Sequence, residues 1–284
     1  MKDAFDLDAY CSRIGYRGER AATLAVLREL HALHPSAIAF ENLNPLLGLP
    51  VRLDLATLQE KLIRNGRGGY CYEHNTLLRA ALDSLGFQVT SLGARVIWNR
   101  PMDAITARTH MLLLIDLPEG RFIADVGFGG QTLTAPLRFE IDTTQTTPHE
   151  PFRLIAYRNS NGERETRDIR DEYVLQTCIR GQWRALYRFD LTPQYPVDQE
   201  LTSWYLSHHP ESQFTTTLRV ARAGARRRYA LLNNELTVHE LDAPSRTRLL
   251  TSETELRETL QSTFGIALPD SPLLSPTLAR FIKP

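Results

Sequence analysis

The chain has 284 residues, 42% apolar and 23% charged, with 33 Lys plus Arg against 33 Asp plus Glu. That composition suits a globular protein of one large domain or two to three small ones, and the zero net charge argues against a general nucleic-acid or membrane surface while leaving room for a local basic site. No stretch approaches 18 consecutive apolar residues, the start "MKDAFDLDAYCSRIGY" is charged without an apolar signal core, and Cys11, Cys71 and Cys178 are too few for a disulfide scaffold, so the expectation is a cytoplasmic protein that neither spans a membrane nor binds nucleic acid.

Residues 1 to about 85 read as helical. In "GERAATLAVLRELHALH" (18–34), Leu24, Leu27 and Leu30 recur at steps of three, Val26 and Leu33 widen the stripe, and Arg28 and Glu29 fall opposite. Pro35 is expected to end that helix. "LDLATLQEKLIRNG" (53–66) is a second helix, with Asp54 as N-cap and Gly66 past its end. "NTLLRAALDSLG" (75–86) is a third, closed by Gly86.

From Phe87 the period changes. "FQVTSLGARVIW" (87–98), "HMLLLIDL" (110–117) and "RFIADVGF" (121–128) read as strands between Pro and Gly signals, followed by 152–158, 172–179 and 183–190. Residues 191–284 are mixed: strands at 216–222, 227–233 and 235–241, then a helix at 251–265 with Thr251 or Ser252 as cap. Strands that follow a run of helices predict α+β segregation rather than alternating βαβ units. The boundaries are set at 1–86, 87–190 and 191–284.

The chemistry centres on "RNGRGGYCYEHN" (64–75). Gly68 and Gly69 allow a tight turn before Cys71, and residues 71–85 can form one helix that starts at the cysteine. A cysteine attacks as a thiolate, its free pKa is about 8.5, and a helix N-terminus favours the anion. Two readings of Cys71 stand open on local sequence: a small buried hydrophobe at a helix start, or a nucleophile. A nucleophile needs a base and a group that orients the base. His110 is polar at the head of an apolar strand. Asp125 lies within an apolar one, which is costly unless it is paired. Across an antiparallel pair the carboxylate would hold the ring and leave its other nitrogen for the sulfur. Facing His110 with Asp125 puts the hairpin midpoint between Leu117 and Pro118, whereas "PEG" centres on Glu119, so a bulge, a longer loop or a diagonal contact must absorb the difference.

Other groups carry less. Cys71 with His74, and His31 with His34, share an i, i+3 spacing, but neither pair has further ligands for zinc, and no metal is expected. His208 and His209 read as solvated loop residues before Pro210. "ARAGARRRY" (221–229) reads as a charged hairpin or a surface for phosphates.

Together, "RIGYRG" (13–18), "AFENL" (39–43), "RGGYCYEHN" (67–75), "RTHMLL" (108–113), "DVGFGG" (125–130) and "FGI" (264–266) resemble the arylamine N-acetyltransferase family in order and approximate spacing. The resemblance runs over nearly the whole chain and is strongest in the first 140 residues. It departs at Tyr72, where the family usually has Phe, at His74, often Gln, at Ala39, usually Pro, and at Cys11, commonly aromatic. His74, if it shares a face with Cys71, would alter that residue's pH behaviour.

The resemblance implies an N-terminal helical bundle, a central β-barrel and a C-terminal α/β lid, with a triad arranged as in cysteine proteases and transglutaminases. It implies Cys71 as nucleophile, His110 as base and Asp125 as orienter. Acetyl-CoA would be the co-substrate and an arylamine, arylhydrazine or hydrazide the acceptor, with ping-pong kinetics through an acetyl-cysteine. Thr109, Gly127 and Phe128 would meet the coenzyme's arm, and Phe40, Val96 and Phe128 the acceptor. Arg67 and Glu41 would brace the loop carrying Cys71. The working unit is expected to be a monomer or homodimer. Three rivals use or dispense with the same residues: a Cys-His-Asp amidase or protease, an amide synthase that closes macrolactams from a carrier-bound acyl group, and a binding protein without catalysis.

Overall fold

The computed structural model describes residues 5–158, 171–241 and 243–282. Residues 1–4 of the charged start lie outside them. α1 (Leu7–Ile14) begins where Asp6 accepts from the Ala9 N–H, and ends at Gly15 in the left-handed region. α2 (Leu24–Ala37) departs from expectation at both ends. It starts only where Thr23 captures the Val26 N–H, and it runs past Pro35. Pro35 is tolerated in the last turn, where its missing N–H forfeits a single intrahelical bond. β1 (Phe40–Glu41) and α3 (Leu43–Leu46) follow. α4 (Leu55–Leu58), capped by Asp54 as expected, continues as a π-helix over Gln59–Arg64. α5 (Cys71–Ser84) starts at the cysteine, and Gly86 follows its C-terminus at φ 87°.

β2 (Gln88–Val96), β3 (His110–Leu117), β4 (Gly120–Ala124), β5 (Leu137–Arg138), β6 (Phe152–Ala156), β7 (Tyr173–Ile179) and β8 (Gln182–Pro193) form one antiparallel sheet in the order β5-β4-β3-β2-β8-β7-β6. Bridges Ile141–Leu154 and Gln145–Phe152 draw its two edges together into a nearly closed barrel. The remainder comprises α6 (Pro196–His208), α7 (Gln213–Thr216), β9 (Arg219–Gly224), β10 (Arg227–Leu232), β11 (Glu235–Glu240), β12 (Arg246–Leu249), α8 (Glu253–Ser262, capped by Ser252) and α9 (Leu274–Ala279). A second sheet runs β1-β9-β10-β11-β12. The fold is α+β: helices, then barrel, then a sheet with helices. The basic stretch 221–229 is the β9–β10 hairpin.

β3 is buried on both faces, which explains its unbroken apolar run. Met111, Leu113 and Ile115 join the helical core with Leu27, Leu62 and Leu78. Leu112 and Leu114 join the barrel core with Leu92, Phe152 and Leu186. By the strand's two-residue period, His110 shares the barrel-side face with Leu112 and Leu114. This packing seats α5 against the strand that begins with His110.

Candidate active site

Two buried ion pairs fix the loop that delivers Cys71. Arg67 donates to Glu41 Oε1 through Nη2 at 2.7 Å and Nε at 3.1 Å, and Glu41 Oε2 accepts from the Leu43 N–H at 2.6 Å. Burial works to raise the Glu41 pKa, but Arg67, Lys61 and the Leu43 N–H outweigh it and the net shift is down. Lys61 reaches Glu73 from the π-helix at 2.6 Å, and Glu73 in turn accepts from the Tyr70 N–H at 3.1 Å. There burial wins over Lys61, with Glu41 adding repulsion, and the Glu73 pKa is raised. The glycines before the cysteine serve contact rather than turning. Neither has positive φ. A Cβ on Gly68 would collide with the Ala39 carbonyl oxygen, and one on Gly69 would lie 2.6 Å from Glu73 Oε2.

Cys71 is buried at the first turn of α5, where backbone N–H groups lack intrahelical acceptors. Its sulfur lies 3.7 Å from the Thr109 carbonyl oxygen. His110 Nε2 is 2.7 Å from Asp125 Oδ2, which leaves Nδ1 for the sulfur. Asp125 is not inside β4: the strand stops at Ala124 and does not run to Phe128. The register pairs Leu113 with Ala124 and Leu117 with Gly120. Continued one step, it would set Asp125 opposite Leu112, so the contact to His110 is the diagonal one, and the turn falls at Pro118–Glu119.

Asp125 is held from four sides. Its Oδ1 accepts from Asn75 Nδ2 at 3.0 Å and from the Gly127 N–H at 2.9 Å. Its own N–H donates to His31 Nε2 at 3.1 Å, and its carbonyl accepts from Thr132 Oγ1 at 3.0 Å. Asn75 also donates to the Met111 carbonyl and accepts from the Val126 N–H, so one side chain joins α5, β3 and the Asp125 loop. From the second sheet, Arg228 is buried against Glu150 and donates to the Thr132 carbonyl at 2.9 Å. It is a brace for this loop, not an open phosphate site.

Burial alone would lower the His110 pKa. The Asp125 carboxylate overrides burial, with help from the Cys71 sulfur, and raises it to about 10. Asp125 shows the converse: burial pushes its pKa up, and His110, Asn75 and the Gly127 N–H bring it below its usual value. The imidazole is therefore cationic at neutral pH. Tyr187 packs its ring on His110 at 4.9 Å, and Phe128 meets the same ring edge-on at 5.2 Å. The Tyr187 hydroxyl is buried beside Asp125; burial first, then the Asp125 charge, holds its pKa well above 10.

Among the remaining sequence candidates, Gly127 lies on the start of α5: a Cβ there would be 2.8 Å from Cys71 Cα. Phe40 lies by the same loop, 3.5 Å from the position of a Cβ on Gly129. Val96 is the register partner of Tyr187, two residues along from Ala94, the partner of His110. His74 turns elsewhere than expected. Its Nε2–H donates to the Ala39 carbonyl at 3.2 Å, so Nδ1 must accept from His34 Nε2–H at 2.9 Å, and His34 Nδ1 then accepts from the Tyr10 hydroxyl at 2.9 Å. Burial presses the His74 pKa down to about 4. This neutral relay ties α1, α2 and α5 to the segment before Phe40. His31 and His34 are thus committed to separate networks. His208 and His209 are not loop residues: His208 ends α6 stacked on Trp204, and His209 caps it stacked on Tyr205.

Sequence reasoning passed over Asn75, Thr132 and Tyr187, and weighed His31 only as half of a zinc pair. Asn75 had a signal, one helical turn after Cys71 on the same face. The others come together only through the tertiary fold.

A family model described as N-acetyltransferase matches residues 23–273. The arylamine N-acetyltransferase of Mycolicibacterium smegmatis is 42% identical over 271 residues, covering 94% of each chain. The structure of the Mycobacterium marinum arylamine N-acetyltransferase superposes with a TM-score of 0.90 at 40% identity, over 98% of this chain and 100% of that one. The same M. marinum enzyme in complex with CoA gives 0.87 at 40% identity, over 98% of both chains.

Proposed function

Because this chain belongs to the arylamine N-acetyltransferase family, we propose that Cys71, His110 and Asp125 are the residues with which it works. The chain is an acyltransferase that moves an acetyl group from acetyl-CoA to arylamines. The observation that carries the assignment is the 2.7 Å bond from His110 Nε2 to a buried carboxylate, beside a cysteine that opens a helix.

The reaction runs in two halves. The Cys71 sulfur, facing the His110 cation, attacks the thioester carbonyl as its anion. The oxyanion that forms is met by the Cys71 N–H at the helix start. The carbon–sulfur bond to coenzyme A breaks, and His110 gives its proton to the departing thiolate. The acceptor nitrogen then attacks the acetyl-cysteine, its proton passes to His110, and the Cys71 sulfur leaves as the anion. Both groups return to their starting charge. Splitting one transfer in two lets a single site serve donor and acceptor in turn. Arylhydrazines and hydrazides present the same nucleophilic nitrogen and fit the same second half.

Thr109, Gly127 and Phe128 are assigned to the coenzyme's arm, and Phe40, Val96 and Phe128 to the acceptor. In support, the Thr109 carbonyl faces the sulfur, Gly127 abuts the Cys71 backbone, and Phe128 contacts His110. All three catalytic groups come from one copy, so the catalytic unit is a single chain whether the protein works as a monomer or homodimer. Initial rates over a matrix of acetyl-CoA and aromatic amine concentrations test the scheme. Double-reciprocal lines should be parallel; lines that intersect would mean direct transfer without an acetyl-enzyme.

A further inference from the structure

α6 carries its polarity inside out. Its buried residues are Gln199, Ser203, Leu206 and Ser207, three of the four polar. Its outward face presents Val197 at 71% exposure, Leu201 at 72%, Trp204 at 61% and Tyr205 at 41%, with Tyr195 at the N-cap 65% exposed. A surface helix ordinarily buries its apolar stripe and wets its polar one. At 3.6 residues per turn, Val197, Leu201, Trp204 and His208 fall within a sector of roughly 60°, and Tyr205 borders it. The inward polar groups have partners: Ser203 meets the Tyr70 hydroxyl, Ser207 donates to the Ser203 carbonyl, and Gln199 donates to the Gln194 carbonyl. The outward rings are set flat by stacking, Trp204 on His208 and Tyr205 on His209.

We infer that this face is covered by the same face of a second copy, α6 lying antiparallel on α6 about a two-fold axis. The area is of the right size. With 150–250 Å² available per aromatic side chain, these five residues leave on the order of 600 Å² exposed, the upper end of what a monomer leaves in one patch and about three-quarters of the ~800 Å² each partner gives to a stable interface. The polarity of the helix ends agrees as well. Asp198 and Glu200 flank the stripe near the N-terminus of α6, and His208 and His209 lie at its C-terminus. An antiparallel pair sets each acidic end, with its helix N-terminus, against the partner's imidazole end and helix C-terminus. Residues 195–210 contain no Lys or Arg, so an anionic lipid surface is the poorer match. In this arrangement Leu201 of each copy meets Trp204 of the other. The proposal stands on this face alone and holds whichever way the triad assignment is decided.

Sedimentation velocity on the wild type and on Leu201→Glu tests it, with circular dichroism and the acetyl-transfer rate as controls for folding. The wild type should sediment as a dimer at about 50 µM, and Leu201→Glu as a monomer there, its dissociation constant raised at least ~100-fold, with the rate per chain within about twofold of wild type. The double variant Leu201→Lys with Trp204→Glu, which sets opposite charges across the axis, should recover dimer. A wild type that is monomeric at that concentration, one that instead binds neutral lipid vesicles as a monomer, or a Leu201→Glu protein that stays dimeric would overturn the proposal.

Discussion

Burial by itself would strip His110 of its proton at neutral pH; Asp125 at 2.7 Å reverses that outcome. The two effects separate in Asp125→Asn, which keeps the shape of the side chain and removes its charge. The His110 titration midpoint should drop well below about 10, because burial would then be opposed by the Cys71 sulfur alone. Ring-proton or ring-carbon NMR across the pH range reads this directly, and a midpoint that stays near 10 would exclude Asp125 as the cause. Stability follows the same sign. A pKa raised in the folded state contributes stabilisation that is complete below the ordinary value of 6.5 and is lost as pH rises through about 10. The wild type should lose stability across that window, and the Asn variant should lose much less of it. Asn75 and the Gly127 N–H matter at this scale because they keep Asp125 Oδ1 occupied while Oδ2 serves the histidine.

The elements meet at close quarters, and Gly127 marks the closest approach. An added methyl at 2.8 Å from Cys71 Cα and 3.0 Å from Asn75 Nδ2 must move either the first turn of α5 or the loop after β4. Overpacking of this kind costs about 1–3 kcal/mol, and a shift near 1 Å in a reacting group costs about 100-fold in rate. Gly127→Ala should therefore lose about 100-fold in kcat with a fall of a few degrees in Tm, whereas Gly130→Ala, with open space around its Cβ, should be silent in both. An equal effect of the two substitutions would remove close packing as the reason. This is also where sequence and structure parted. The helix that starts at Cys71 was legible because two glycines precede the cysteine and a helix-compatible run follows it in one short stretch. β4 was read four residues too long because Asp125 sends its N–H to His31 and its carbonyl to Thr132, partners that no local pattern reveals. α6 went unread because its apolar stripe faces outward and its inner face is polar, although Pro196 and Asp198 near its start were available signals.

Across the whole molecule, the three side chains proposed as catalytic are set by two parts of the chain and steadied by a third. The helical core runs from α2 and α5 onto β3, so Cys71 and His110 are seated on elements that share one core. β1 leaves the helical part to pair with β9, and Arg228 of β10 reaches back to the Thr132 carbonyl beside Asp125. The second sheet thus steadies both the segment carrying Phe40 and Glu41 and the loop carrying Phe128. Such an assembly holds Cys71, His110 and Asp125 out of water, and the direct product of the proposed chemistry is an acetyl-enzyme. The most direct measurement is an intact mass and peptide map of the protein mixed with acetyl-CoA and no acceptor. One acetyl group should be found on Cys71, it should discharge on addition of an aromatic amine, and Cys71→Ala should fold normally yet carry none. Acetylation at another residue, or turnover by Cys71→Ala, would contradict the account.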